Sequence, residues 1–268
     1  LGAGDGFMSG LLKGWLDGED WPTALKYANA CGAFAVSRHG CTPAYPSWAE
    51  LCFFFDYKIK RPDLRNEVVL EQVHWATNRH GNWAELKVFA FDHRSQMEEI
   101  QEATAEKIGR FKSLCLQAAI QVAAGDAGFG VLCDSRLGQD ALFKVAETEL
   151  WVGRPVEWPG SLPLQVEPAL GADFGGLSEW PRDHVVKLLC FCHPDDDEIL
   201  WKAQIQTVQR LFQACRRNKL EFLLEVIPSK TGLVDDVTTA KVIQRFYHEG
   251  IYPDWWKLEP LLTDAAWR

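Results

Sequence analysis

From about residue 63 onward the chain alternates short β-rich runs with amphipathic helical stretches, and this alternation limits its fold more than any other feature. The runs lie at 86–92, 130–134, 162–167, 184–192, 221–227 and 255–259, and the clearest helical stretches at 96–124 and 196–219. Such alternation favours parallel βα units, because a parallel neighbour needs a crossover long enough to hold a helix. Six units whose strands end in polar or charged residues fit an α/β fold, a (β/α)8 TIM-type barrel lacking its last two units. Its functional groups are then expected at the C-terminal strand ends. An open doubly wound sheet is the alternative, but no G-x-G-x-x-G follows the first run.

Residues 5–37 read instead as two helices. Phe7, Leu11, Leu12, Trp15 and Leu16 recur at helical spacing until Asp17-Gly18. Asp20 and Pro22 then open a second helix carrying Leu25, Ala28, Cys31 and Ala35 on one face. Ser47 starts a short third helix through Phe55, and the basic run at 58–62, closed by Pro62, reads as a linker. The organisation expected is a helical segment at 1–57, the linker at 58–62 and a barrel-type domain at 63–268. The chain begins inside a motif without Met and stops without a helix-ending Gly or Pro, so both ends read as cuts in a longer protein.

Composition narrows the function. Hydrophobic residues make up 47% of the 268 and charged ones 24%, a globular balance. No apolar stretch approaches the ~20 residues that span a bilayer. A formal charge of −9 argues against nonspecific binding to nucleic acid. The expectation is a cytoplasmic protein acting on small molecules, with homo-oligomers left open. The eight cysteines include no C-x-x-C pair and the seven histidines no H-x-H or H-E-x-x-H, so no metal site is expected and a metal-dependent aldolase is disfavoured. The acidic run 195–198 reads as a solvated cluster at a helix N-terminus.

Strand-end charges come next: Asp92-His93-Arg94, Asp134, Glu167, Lys187, Glu225, and Lys257 with Glu259. Lys187 stands inside the apolar run Val185-Val186-Lys187-Leu188-Leu189, where purposeless burial costs several kcal/mol. Glu225 and Lys257 occupy similar settings on the next two strands. Alternation would turn all three into one interior. Two amines flanking a carboxylate suit Schiff-base chemistry, one cation disfavouring protonation of the other amine while the carboxylate moves protons. That holds only if Lys187 approaches Lys257 as closely as Glu225 does. A buried ion triad is the structural alternative.

At the other end, Gly2-Ala3-Gly4-Asp5 runs straight into an apolar helix. Glycines admit an anion to backbone N–H groups at a helix N-terminus, and an Asp there can take a hydroxyl proton. With Tyr27-Ala28-Asn29-Ala30-Cys31-Gly32-Ala33 and Arg38-His39-Gly40-Cys41-Thr42-Pro43, this stretch resembles the C-terminal end of ribokinase/PfkB-type sugar kinases, especially the 5-dehydro-2-deoxygluconokinases of myo-inositol catabolism. The resemblance covers about residues 1–57. It implies Asp5 as catalytic base, the amides of Ala3, Gly4 and Asp5 as anion hole, and Asn29 and Gly32 near the nucleotide. It also implies ATP, Mg²⁺ and, in many members, a monovalent cation. Gly6 stands where Ala is usual, and the sugar-binding sheet lies upstream of such a segment, which alone should be inactive.

Phe91-Asp92-His93-Arg94, Val186-Lys187-Leu188-Leu189, Phe222-Leu223-Leu224-Glu225 and Trp256-Lys257-Leu258-Glu259 resemble class I tagatose-1,6-bisphosphate aldolases, and more closely the aldolase-like domain fused behind the inositol-pathway kinase in some bacteria. This resemblance implies Lys257 as Schiff-base lysine, Glu225 as acid/base, and Lys187 and Asp92 assisting at the carbonyl. His93 stands where that group usually has Gln. The implied activities are phosphorylation of the sugar acid 5-dehydro-2-deoxygluconate and cleavage of its 6-phosphate. A non-catalytic scaffold or sugar-phosphate sensor is the alternative, favoured if Lys187, Glu225 and Lys257 lie apart.

Overall fold

The computed structural model describes residues 2–57, 63–79, 81, 83–261 and 263–267, which form two compact units, Leu1–Asn82 and Trp83–Arg268. The linker expected at 58–62 lies outside the described residues.

In the first unit, helices begin and stop where the local chemistry demands. Helix α1 (Ala3–Leu16) ends at Asp17, followed by Gly18 at φ +77°. Helix α2 (Trp21–Ser37) is capped by Asp20, which accepts from the Thr23 amide at 2.9 Å. Helix α3 (Trp48–Asp56) is capped by Ser47, which accepts from the Glu50 amide at 3.1 Å. Helix α4 (Val68–Thr77) completes the unit, its Leu70 packing with Phe34 and Leu51. Polar contacts fasten the same three helices: the fully buried Glu50 accepts from Arg38 at 2.5 Å and meets His74 Nδ1 at 2.7 Å.

The face of α1 that meets α2 is not the apolar one the sequence suggests. Gly6, Gly10 and Gly14 are its buried residues, while Leu12, Trp15 and Leu16 are exposed. A Cβ on Gly10 would lie 2.6 Å from the Tyr27 carbonyl oxygen, and one on Gly14 2.6 Å from Ala24 Cα. Backbone-to-backbone contact therefore sets this packing, and a larger residue cannot enter it. On α2, Ala28, Cys31 and Ala35 are buried as expected, but Leu25 is exposed.

The second unit holds six parallel strands: β1 (Lys87–Ala90), β2 (Phe129–Leu132), β3 (Trp151–Pro155), β4 (His184–Cys190), β5 (Phe222–Val226) and β6 (Trp255–Leu258). They pair in chain order without reversal, which excludes the doubly wound alternative. The sheet curls. Strands three places apart in a flat sheet lie about 14 Å from each other, yet Asp92, after β1, meets Lys187 of β4 at 3.2 Å. Likewise the rings of Trp151 on β3 and Trp255 on β6 lie 5.5 Å apart. The result is a six-stranded half-barrel.

Between the strands come α5 (Ser95–Glu98), α6 (Ala105–Ala123), α7 (Gln139–Val145), α8 (Glu198–Asn218) and α9 (Thr238–His248). The outer faces of β4 and β5 bury Val186, Leu188, Phe222 and Leu224 against Trp201, Val208 and Leu211 of α8. Those of β2 and β3 bury Val131 and Val152 against Leu116 of α6 and Val145 of α7. Inside, Leu132, Trp151, Val185 and Leu223 form an apolar floor.

One strand was expected elsewhere. The run 162–167 is not β3; it folds back antiparallel on the residues after β3, with Val166 bridging Glu157. The true β3, Trp-Val-Gly-Arg-Pro, carries residues that weaken a strand reading. Its Pro155 is tolerated because pairing with β2 has already ended at Gly153.

A buried lysine cluster in the half-barrel

Alternation from the apolar floor upward turns Asp92, Glu157, Lys187, Glu225 and Lys257 toward the interior. Glu225 is in register with Lys257 on β6 and with Leu189 on β4, so Lys187 starts two residues lower and its long stem climbs to the carboxylates. The Nζ of Lys187 lies 2.8 Å from Glu225 Oε2, 3.2 Å from Asp92 Oδ2 and 3.4 Å from Glu157 Oε1. The other oxygen of Glu225 lies 2.7 Å from Lys257 Nζ. One carboxylate thus bridges both lysines. Lys187 is 4% exposed, whereas the Lys257 side chain is 41% exposed, so only the second amine is open to an incoming molecule. A cavity of about 490 Å³ lies above the cluster, with His93, Phe191 and Lys230 also on its wall.

Electrostatics fix the charge of the inner members. Burial alone would drive the proton off Lys187, but Glu157, Asp92 and Glu225 outweigh it and raise its pKa well above the ordinary lysine value. Burial opposes ionisation of Asp92 too, and the charges of Lys187 and Lys257 overcome it, holding its pKa below the usual carboxylate range. Three carboxylates thus favour the ammonium form of Lys187.

Two supporting groups escaped the sequence reading. Glu157, 3% exposed, receives Arg94 at 2.5 Å and the Leu189 amide at 3.0 Å besides Lys187. The signal that could have found it is its place just beyond a strand, hidden once that strand was set at 162–167. Lys112 of α6, fully buried, donates to the carbonyls of Phe91 (2.9 Å) and His93 (2.8 Å) and to the Asp134 carboxylate. It ties the ends of β1 and β2 and so holds Asp92 in place.

Other strand-end residues separate from the cluster. Asp134 serves Lys112 and the Leu137 amide. Glu167, in a loop and not at a strand end, accepts from Arg94 at 2.8 Å. Glu259 accepts from the amide and hydroxyl of Ser229. In the acidic run, Asp197 caps α8 by accepting from the Ile199 amide at 2.7 Å, as expected of a helix N-terminus.

In the first unit, Ala3, Gly4 and Asp5 form the first turn of α1 after Gly2, whose φ of +88° suits a residue without Cβ. The Gly6 amide is satisfied by the Gly2 carbonyl at 2.8 Å, and Gly4 has open space where a Cβ would stand. Gly32 approaches this turn, a Cβ there lying 3.4 Å from the Ala3 carbonyl oxygen. Asn29 is exposed and donates to Leu25 O within its own helix at 2.9 Å.

The second unit and α4 fall within residues 50–268, which match the family model described as "Uncharacterized protein conserved in bacteria (DUF2090)". The chain belongs to this family. Ahead of the DUF2090 region, residues 1–48 match the pfkB family of carbohydrate kinases. The chain is 44% identical over 51 positions to a 5-dehydro-2-deoxygluconokinase of Bacillus licheniformis, covering 19% of this chain and 16% of that protein. The Bacillus subtilis protein of the same name is 40% identical over 51 positions, with the same coverage. An ATP-dependent ribose-1-phosphate kinase of Halopiger xanaduensis is 49% identical over 43 positions, 16% of this chain and 14% of that protein. The chain thus spans about a sixth of the length of these curated relatives. Its N-terminal part resembles a sugar kinase, and the DUF2090 region lies beyond that likeness.

Proposed function

We propose that the DUF2090 half-barrel carries out class I aldol cleavage with Lys257 as Schiff-base nucleophile. The observation that carries this reading is the Glu225 carboxylate set between the exposed amine of Lys257 and the buried ammonium of Lys187. The arrangement differs from the one the sequence suggested. Glu225, not Lys187, is the group against Lys257, so the free amine arises by proton transfer to Glu225 Oε1 across 2.7 Å. The amine then attacks a ketone carbonyl, and Glu225 returns the proton to the departing hydroxyl, giving iminium and water. A carboxylate takes the proton of the hydroxyl two carbons away, that carbon becomes an aldehyde, and the bonding pair flows into the iminium to form an enamine. Protonation on carbon and hydrolysis release the second product. Lys187 stays protonated throughout, orienting Glu225 and Asp92.

The substrate we assign is the 6-phosphate of 5-dehydro-2-deoxygluconate, cleaved to dihydroxyacetone phosphate and malonate semialdehyde. The names of the Bacillus relatives favour it, because their kinase product would be the cleavage substrate. In a complete kinase, the open first turn of α1 suits a phosphate group, with Asp5 placed to take the hydroxyl proton. ATP would supply the transferred phosphoryl group. Among the described residues no three His, Cys, Asp or Glu side chains are placed to hold a metal ion, the carboxylates of Asp92, Glu157 and Glu225 being taken by the Lys187 ammonium, so none is assigned to Mg²⁺.

Borohydride added to the full-length protein with dihydroxyacetone phosphate is expected to leave a reduced adduct on Lys257, found by peptide mass spectrometry, and EDTA should not slow cleavage. A protein that cleaves substrate without labelling Lys257 overturns the mechanism. For the kinase reading, Asp5→Asn in the full-length protein should lower phosphoryl transfer at least ~100-fold; undiminished turnover would sink it.

A further inference from the structure

Away from the cavity, one guanidinium lacks a counter-charge. Arg154 lies on β3 between the inward residues Gly153 and Pro155, so its side chain emerges on the opposite face of the sheet from Lys257. Its Nη2 donates to Ser135 Oγ at 2.8 Å, its Nη1 lies 3.4 Å from His184 Nδ1, and its carbon centre sits 3.7 Å from the Trp180 ring centroid. The Nε is buried with no hydrogen-bond partner. Arg38, Arg94 and Arg245 each hold a carboxylate, whereas among the described residues Arg154 makes no ion pair. Arg154 and Ser135 are only partly buried, so a small ion can reach them.

The energetics point the same way. Burial, with no carboxylate to offset it, pulls the Arg154 pKa down to about 10. Burial and the Arg154 charge push His184 down to about 4, leaving it neutral near pH 7. Arg154 is thus a fixed positive centre, its guanidinium held over the face of the Trp180 indole at 3.7 Å.

We propose that Arg154 and Ser135, backed by Trp180, form an oxyanion site on the outer face of β3, taking a phosphate monoester or a carboxylate. Two oxygens of the anion would bridge the guanidinium and the Ser135 hydroxyl, which donates its proton outward while accepting from Nη2. This site is independent of the aldol chemistry.

Thermal unfolding of the full-length protein, titrated with inorganic phosphate and separately with acetate at constant ionic strength, tests it. A saturable rise in Tm with at least one anion, abolished in Arg154→Gln, is the expected result. A rise with phosphate alone assigns the site to phosphate monoesters; a rise with acetate assigns it to carboxylates as well. No rise with either anion, or an equal rise in Arg154→Gln, overturns the proposal. Should Arg154→Gln fail to fold, Ser135→Ala decides: its titration midpoint should move up at least threefold, and an unmoved midpoint overturns the site.

Discussion

Replacing Glu225 by glutamine is expected to cut the rate of borohydride-trapped adduct formation at Lys257 by about 10²–10³-fold, the usual worth of a positioned proton carrier. Glu225 is the described group in contact with the Lys257 amine, at 2.7 Å, and an amide cannot take its proton near neutral pH. The change also removes the negative charge between two ammonium groups. That leaves Lys187 with Asp92 and Glu157, so its own place should hold. Facing Lys187 without the carboxylate, Lys257 would sit in a more positive field, which favours its neutral form and limits the loss. The net effect remains a loss, because hydration and dehydration of the imine each need the carrier. Initial rates of label incorporation, with near-UV circular dichroism to confirm native packing, measure it. Labelling as fast as in the parent protein would mean another group moves the proton.

Lys112→Met should be the most damaging substitution for stability, costing about 3–5 kcal/mol as expected when one partner of a buried ion pair is removed. Methionine fills much of the space of the lysine stem but leaves Asp134, 1% exposed, as a buried carboxylate without its cation. It also strips the Phe91 and His93 carbonyls of a donor. The matching measurement is urea unfolding, with Lys112→Met/Asp134→Leu as partner variant. The double variant should regain part of the loss, since no charge is then stranded. An unchanged midpoint in Lys112→Met would show that the pair contributes nothing.

These two residues also mark what the sequence could and could not reveal. Glu225 and Lys187 were legible because each interrupts an apolar strand, and a charge there needs partners wherever the strand lies. Their meeting followed from parallel order and side-chain alternation, both local patterns. Lys112 carried no such mark. In an amphipathic helix a lysine reads as surface, and only the distant ends of β1 and β2 make its burial favourable. Glu157 was lost with the third strand, because Gly153 and Pro155 disguised 151–155 while the loop at 162–167 looked more strand-like. The glycine face of α1 was hidden for a different reason: hydrophobic periodicity reports where apolar side chains sit, not where two backbones touch. The helix caps at Asp20 and Ser47, by contrast, depend on three or four neighbouring residues and appeared where expected.

The distribution of thiols gives the molecule a built-in record of its own breathing. Cys115, Cys133, Cys190, Cys192 and Cys215 are all buried and unpaired, lying on α6, just past β2, on β4, just past β4 and on α8, whereas Cys41 is exposed in the first unit. Burial also raises the pKa of Cys133 to about 12 and that of Cys215 further, so neither offers thiolate while packed. An alkylating reagent under native conditions can reach them only through an opening of the segment around each. The rate at each cysteine then reads the free energy of a separate local opening, strand by strand, with no label added to the chain.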